Sequence, residues 1–167
     1  MARVSIARAA LGPIALVGLA ALALAACGAG ARTITVTHGP VTLAYADLGD
    51  PGPSVGDMRS TTTDTQVEGT QVLGRLDAVL TTTAVNTPAP DVEVRIGHLV
   101  FSFATQGDQI VVDGTSLYPS ASATIAVGAT TIRPIVGGSG IYAGARGYAE
   151  STHLDDGTWR HVLHLQP

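Results

Sequence analysis

The sequence contains one cysteine, Cys27, and no lysine among its 167 residues. A single thiol cannot form an internal disulfide and cannot supply a cysteine cluster for zinc or iron–sulfur. The absence of lysine excludes enzymes that depend on a Schiff-base lysine or on a P-loop lysine. Charged residues make up only 13% of the chain, while apolar residues make up 46%, which is typical of a folded domain rather than of a disordered one.

The balance of charge is mildly acidic. The formal net charge is -4 at pH 7, and all nine basic residues are arginine. Two of them, Arg3 and Arg8, lie in the N-terminal segment, so seven arginines face thirteen acidic residues in the rest of the chain. Because phosphate backbones are bound by positively charged surfaces, we expect no nucleic acid partner.

The first 26 residues have the pattern of an export signal. Arg3 and Arg8 form a positive start, and residues 9–24 are almost wholly apolar. This run suits the apolar region of a signal peptide and is short for a membrane-spanning helix. The sequence therefore predicts three parts, namely a lipoprotein signal peptide at 1–26, a tether at 27–32 and a β-barrel domain at 33–167.

The only cysteine follows a stretch that resembles the bacterial lipobox, Leu24-Ala25-Ala26-Cys27. In that motif the cysteine is acylated and becomes the new N-terminus. We predict a lipid anchor on Cys27, which would place the protein outside the cytoplasm on the cell membrane. The alternative is ordinary signal cleavage, after which Cys27 is incidental and the protein is secreted.

Beyond the tether, β-rich runs alternate with turn residues. No segment has a sustained helical period, so we expect no helix longer than a turn or two. Runs rich in threonine and valine, separated by glycine, proline and aspartate, are typical of short strands. We predict strands near 33–37, 41–46, 58–66, 71–84, 92–104, 109–113, 121–127, 130–136, 146–153 and 158–165.

Several of these runs alternate in polarity. In 92–96 the valines and Ile96 share one face, and Glu93 and Arg95 share the other. In the last run, Trp159, His161 and Leu163 lie on one side. Alternation of this kind favours antiparallel sheets, and many short strands favour a sandwich or a barrel. Periodicity alone does not choose between the two.

The segment 135–147, IVGGSGIYAGARG, contains a glycine-rich turn. It resembles the turn shared by allene oxide cyclases and dirigent proteins, and weaker matches precede it in the same order at 54–57, 72–75, 101–103 and 109–114. Glycine suits such a corner because it allows positive φ and close approach of backbones. The glycines of the turn are Gly137, Gly138, Gly140, Gly144 and Gly147.

The resemblance implies a closed antiparallel β-barrel of about eight strands that can hold one small ligand. It also implies a homo-oligomer, and specifically a trimer, because plant members of the family tend to be trimers. Most of the catalytic residues of plant allene oxide cyclases have no match here, since the first strand, 33–37, has no acid and no cysteine follows Cys27. The resemblance therefore implies the fold and not that chemistry.

Six residues are predicted to line an interior pocket, because in a barrel alternate residues point inward and large ones do so preferentially. Two alternatives stay open for one of the six, Arg95, which either points into the barrel or faces solvent beside Glu93. We expect no acid inside. His161 and His164 fall on opposite faces of one strand, so we expect no metal site, and we expect no cofactor. The six are Arg95, Phe101, Phe103, Tyr118, Trp159 and His161.

Three functional hypotheses follow. The first is a ligand-binding protein whose barrel holds a small hydrophobic molecule. The second is an isomerase, cyclase or dirigent-like protein that steers ring closure or coupling of a reactive intermediate. The third is a structural domain with a filled core. With no acid expected inside, binding ranks above catalysis, and whether the protein is an enzyme stays open.

Overall fold

The structure, a computed structural model, describes residues 30–120 and 124–167. The predicted signal peptide and Cys27 lie outside the described residues. The described chain forms nine strands and one 3₁₀ turn, and none of its helices is long and apolar enough to cross a membrane. The strands are β1 Arg32–His38, β2 Ala44–Ala46, β3 Met58–Val67, β4 Leu73–Val85, β5 Val92–Phe103, β6 Asp108–Pro119, β7 Thr130–Ser139, β8 Gly147–His153 and β9 Trp159–Leu165.

Eight of the strands close into a barrel. Antiparallel neighbours follow one another from β3 to β9, and β9 pairs with β1 along its whole length, with Val36 opposite His161. The barrel closes because β1 also pairs with β3, Val36 lying opposite Val67. The short strand β2 adds to the outer edge of β3. The prediction of an all-β, closed antiparallel barrel of about eight strands is confirmed.

Two of the predicted strands differ from the observed ones by more than three residues at an end. The run predicted at 109–113 continues to Pro119, because Gly114 adopts φ +146 and the strand keeps its pairing with β5 through that point. The strand predicted at 121–127 falls partly on residues 121–123, outside the described residues. Residues 124–127 form no strand, although Ile125 is buried.

The glycine-rich turn joins β7 to β8 through the 3₁₀ turn Gly140–Tyr142. Gly140 has φ +58, and a Cβ there would lie 2.7 Å from the carbonyl oxygen of Gly107. Gly138 has no positive φ, but a Cβ would meet the carbonyl oxygens of Tyr142 at 2.5 Å and Gln109 at 2.6 Å. Gly137 lies in open space, so nothing in the structure explains the glycine there.

The interior of the barrel divides into two halves along its axis. The half around Tyr142 is an apolar core, in which Phe101, Ile110 and Leu163 are almost fully buried. The other half, where β1 ends and β9 begins at Trp159, contains the smaller apolar cluster of Leu80, Tyr118 and Ile125. The buried arginine, glutamate and histidine side chains lie in this second half, which we call the polar half. They are His38, Arg59, Glu93, Arg95, Arg133 and His161.

Candidate functional site

A cavity opens into the polar half of the barrel. Its enclosed volume is about 60 Å³, and with the mouth open to solvent the space amounts to about 540 Å³. The enclosed part alone is smaller than an ordinary ligand pocket, so a ligand would occupy the mouth as well. Most of the wall is apolar, and its polar side chains are His38, Thr61, Tyr118, Thr124, Thr131, Arg133, Ser151 and His161.

Three polar side chains on neighbouring strands form a continuous chain of hydrogen bonds along the cavity wall. His161 Nδ1 lies 2.8 Å from the hydroxyl oxygen of Ser151, and its Nε2 lies 3.0 Å from Nε2 of His38. His38 Nδ1 lies 2.6 Å from the carbonyl oxygen of Gly39. Register brings them together, since β9 lies between β8 and β1 and places His161 opposite both Ser151 and Val36.

The protons in this chain can be assigned from its last acceptor. A carbonyl oxygen only accepts, so Nδ1 of His38 carries a proton, and in the neutral ring its Nε2 is the acceptor. His161 therefore donates from Nε2 and accepts the hydroxyl proton of Ser151 at Nδ1. We call this the Ser151–His161–His38 chain.

Both imidazoles are neutral at pH 7. Burial, with smaller contributions from the nearby His38 and Arg133, lowers the pKa of His161 to about 3. Burial also lowers the pKa of His38 from its ordinary value of 6.5, although the hydrogen bond to the Gly39 carbonyl opposes this. A neutral chain can both give and receive a proton, whereas a charged imidazolium can only give one.

Trp159 supplies an aromatic wall beside this chain. Its ring stacks on His153 with centroids 4.6 Å apart and planes inclined by 7°, and it lies nearly parallel to His161 at 6.1 Å. His153 is in turn held by the carbonyl oxygen of Ile125 at 3.0 Å. Flat rings in parallel orientation favour a flat ligand, because offset stacking is the preferred contact between aromatic groups.

A second polar cluster lies behind the cavity wall. Glu93 Oε2 is 2.9 Å from Nε of Arg95, 3.7 Å from Nη1 of Arg59 and 3.0 Å from the hydroxyl of Thr82. The guanidinium of Arg95 lies over the ring of Tyr118 at 4.5 Å. The pKa of Arg95 is lowered by burial, which the hydrogen bond to Glu93 opposes.

This cluster corrects the expectation that the barrel holds no acid. Glu93 and Arg95 both point inward and are fully buried, while Ile96 on the opposite face is 44% exposed. The valine-rich face of this run is therefore the outer one. The residues further along β5 determine which face of the strand points inward. Leu99, Phe101 and Phe103 are buried, and alternation in a continuous strand places Glu93 on the same face.

The six residues predicted for the pocket are all inside the barrel or at its mouth, but only three line the cavity. These are Tyr118, Trp159 and His161. Phe101 lies one layer below, with its ring edge against His161 at 5.0 Å, and Phe103 packs on Tyr142 in the apolar core. The two phenylalanines fall near the end of β5 and so belong to the filled half. Arg95 lies behind Tyr118, outside the cavity.

Sequence reasoning did not select His38, Ser151 or Arg133 for the site. Alternation could have placed the first, because His38 follows Ile34 and Val36 on the inward face of β1. For Arg133 the local pattern favours the wrong face, because a strand normally buries its apolar residues. Here the apolar Ile132 faces outward and is 63% exposed, while Arg133 faces inward. His161 and His164 lie on opposite faces, and among the described residues no three histidine, cysteine or acidic side chains cluster as metal ligands would.

Asp57, in the predicted 54–57 motif, fixes the loop that precedes β3. Its carboxylate accepts hydrogen bonds from the hydroxyl of Tyr45 at 2.7 Å and from the backbone N–H groups of Leu48 and Ser54, both at 3.0 Å. Burial alone would raise the pKa of this carboxyl, but the hydrogen bonds outweigh burial and lower it to about 2. Asp57 is therefore a structural anchor rather than a proton donor.

Comparisons with known proteins agree with the architecture. No protein-family model matches the chain, and a search of curated proteins finds no significant match. The chain is similar to a solved structure of a pyocyanin demethylase, with 26% identity and a TM-score of 0.61, covering 81% of this chain and all of the other.

Two further structures share the fold at 14% identity. One is the pterocarpan synthase dirigent protein GePTS1, with a TM-score of 0.52 over 81% of this chain and 82% of that one. The other is AbnU, an exo-specific intermolecular Diels–Alderase, with a TM-score of 0.53 over 81% of this chain and 99% of that one. The chain thus has the barrel fold of this dirigent protein and this Diels–Alderase, and the dirigent type of barrel is the fold that the resemblance in the glycine turn implied.

Proposed function

We propose that this protein binds a small, flat, largely apolar molecule in the cavity and acts on it as an isomerase or cyclase by moving a proton. The observation that carries the proposal is the Ser151–His161–His38 chain, which lies on the cavity wall beside the ring of Trp159. A binding protein needs no such chain, because a few isolated polar groups suffice to orient a ligand.

The proton would pass along existing hydrogen bonds. Ser151 takes a proton from the ligand as its own hydroxyl proton moves to Nδ1 of His161. The Nε2 proton of His161 then moves to Nε2 of His38, which becomes the imidazolium and keeps its bond to the Gly39 carbonyl. One proton leaves the ligand, which keeps the electron pair of the broken bond as a negative charge, and one positive charge appears on His38, so the step balances. Return of a proton along the same chain to another atom of the ligand completes the isomerisation.

The titratable side chains inside the barrel favour catalysis over ligand binding alone. Binding ranked above catalysis because no acid was expected inside, whereas the barrel interior holds Glu93 and, next to the predicted His161, a second imidazole, that of His38. Glu93 is engaged by two arginines behind the wall, which leaves the histidines as the bases that face the cavity. The names of the three similar structures support the proposal, since each specifies chemistry on a small organic molecule.

Export and lipidation belong to the same proposal. The described chain starts at the end of the barrel opposite the cavity, where Arg32 lies over the ring of Tyr142 at 5.8 Å. A lipid on Cys27, a few residues before Arg32, would therefore hold the protein with its cavity facing away from the membrane. The ligand would enter from the aqueous side.

Trp159 offers a direct assay of binding because it is the only tryptophan in the chain and lines the cavity. We expect a panel of small aromatic compounds that includes pyocyanin to contain members that quench its fluorescence with saturation. Compounds that bind are then incubated with the protein in D₂O, and conversion and deuterium uptake are followed by mass spectrometry. We expect Ser151→Ala to retain binding and to lose about 100-fold or more of the exchange rate.

His161→Ala and His164→Ala form a matched pair on β9. His164 lies on the outer face, stacked on Tyr148 with centroids 4.4 Å apart, so its loss should leave binding and exchange unchanged. Loss of exchange in the His161 variant alone supports the proposal. If compounds bind but wild type neither converts nor exchanges any of them, the protein is a binding protein and the catalytic part of the proposal is wrong.

A further inference from the structure

Arg133 lies at the junction of the cavity and the polar cluster. It is 3% exposed and lines the cavity from β7. Its Nη2 donates to the hydroxyl of Tyr118 at 2.6 Å, and its Nη1 donates to the hydroxyl of Thr131 at 3.0 Å. Its Nε has no hydrogen-bond partner among the described residues. Both contacts are to neutral groups, so they hold the guanidinium in place without balancing its charge.

No carboxylate pairs with Arg133 within the part of the chain that the structure describes. The one glutamate inside the polar cluster, Glu93, has its ion pairs with Arg59 and Arg95. Residues 1–29 and 121–123, which the structure does not describe, contain no aspartate or glutamate. The interior of the polar half therefore holds three arginines against one glutamate.

A buried guanidinium without a counter-charge is costly. Arginine stays protonated in proteins, so it cannot relieve the cost by losing its proton as a lysine would. Burying an ion without a partner is strongly unfavourable, and a charge next to an apolar cavity has little water to offset this cost. The neutral imidazole of His161 close by offers no negative charge either.

We propose that the molecule bound in this cavity carries an anionic oxygen, a carboxylate or a phenolate, and that this oxygen lies against the guanidinium of Arg133. This inference rests on the proposed function and names its substrate class, a flat apolar body with one negative group. Tyr118 provides a second contact, because its oxygen accepts from Arg133 and leaves its own proton free to be donated to the anion. Charge-assisted bonds of this kind are about twice as strong as neutral ones.

The test uses two probes of the same shape, 2-naphthoate and 2-naphthamide, at pH 7, where only the first is charged. Their affinities are measured by quenching of Trp159 fluorescence. For wild type we expect naphthoate to bind about tenfold or more tightly than naphthamide, in line with the strength of a charge-assisted hydrogen bond. For Arg133→Gln we expect that ratio to fall to about one, with the affinity for naphthamide within about threefold of wild type.

Two further variants make the test specific. Arg160→Gln removes an exposed arginine on β9 that lies 3.8 Å from Glu68, and it should keep the wild-type ratio. Arg133→Lys retains the charge and should keep a reduced preference for naphthoate over naphthamide. This variant tests the anion site if Arg133→Gln fails to fold. Retained naphthamide affinity shows that the cavity is intact in either variant.

The outcomes separate the two proposals. If both probes bind wild type equally well, or if the preference survives in Arg133→Gln, the anion site is wrong while ligand binding stands. If neither probe quenches Trp159 in any variant, naphthalene-sized ligands do not enter the cavity. The anion site is then wrong for ligands of this size, while the proposed function is decided by the panel of aromatic compounds.

Discussion

The low pKa of His161 predicts a specific dependence of stability on pH. The imidazole ionises near 6.5 in the unfolded chain and near 3 in the folded protein, because burial disfavours the charged ring. Between these values the unfolded state binds a proton that the folded state does not, so the free energy of unfolding falls as the pH falls. The slope for one such group is about 1.4 kcal/mol per pH unit, which amounts to roughly 5 kcal/mol over the whole interval.

The measurement is a series of urea unfolding curves for wild type, His161→Gln and His164→Gln between pH 7 and pH 4. We expect the His161 variant to be less stable than wild type at pH 7, since it loses a buried hydrogen-bonded ring. Its stability should also fall less steeply below pH 6, by about 1.4 kcal/mol per pH unit relative to wild type. His164→Gln, on the outer face of the same strand, should follow the wild-type slope.

Two results would refute the reasoning. Equal slopes for wild type and His161→Gln would show that the ring is not held neutral by the fold. A wild-type stability that rises as the pH falls from 6 to 4 would have the wrong sign for any buried neutral histidine. The burial of His38 acts in the same direction, and the low pKa of Asp57 adds to it as the pH approaches 4, so the slope that remains in the His161 variant is not expected to be zero.

Three further predictions concern other parts of the chain. Glu93→Gln leaves two buried arginines without a carboxylate and should lower the free energy of unfolding by about 3–5 kcal/mol in urea. Asp77→Asn breaks only the exposed pair with Arg75 and should cost less than about 1 kcal/mol, and equal losses would contradict the role of the buried cluster. Gly140→Ala should cost about 1–3 kcal/mol because of its positive φ, whereas Gly137→Ala should be near neutral, and thermal midpoints that do not differ would show an unstrained turn. Cys27→Ala should move the protein from the membrane fraction to the soluble one, and unchanged fractionation on an immunoblot would exclude the lipid anchor.

Much of the fold could be predicted because strands leave local signals. The runs around β3, β4, β8 and β9 fall within one or two residues of their observed bounds. β3 and β4 are rich in threonine and valine, and all four strands are bounded by turn residues. Neither signal depends on distant parts of the chain. The glycine turn at 135–147 added the choice of a barrel over a sandwich through its resemblance to the turn of allene oxide cyclases and dirigent proteins. In the structure, Gly138 and Gly140 of this turn leave no room for a Cβ.

The site was only partly predictable, because alternation shows which residues share a face but not which face is inside. In β5 the local pattern of Val92, Val94 and Ile96 favoured the wrong face. Burial of Glu93 and Arg95 is acceptable only where Arg59 and Thr82 arrive from neighbouring strands to satisfy them. The positions of these two partners depend on the register between strands, which the pattern of a single strand does not contain.

The sequence by itself determined the composition of the strands, the alternation along each strand and the absence of lysine and of internal disulfides. It also determined the excess of acidic over basic residues. Only the tertiary structure decided which of these charges meet. Closure of β1 on β9 places His38 against His161, although 123 residues separate them in the chain. The closed barrel also places Arg133 inside, where it has no carboxylate partner among the described residues. Contacts of this kind depend on the stagger of eight strands around a closed ring, and that stagger is set by the packing of the whole barrel at once.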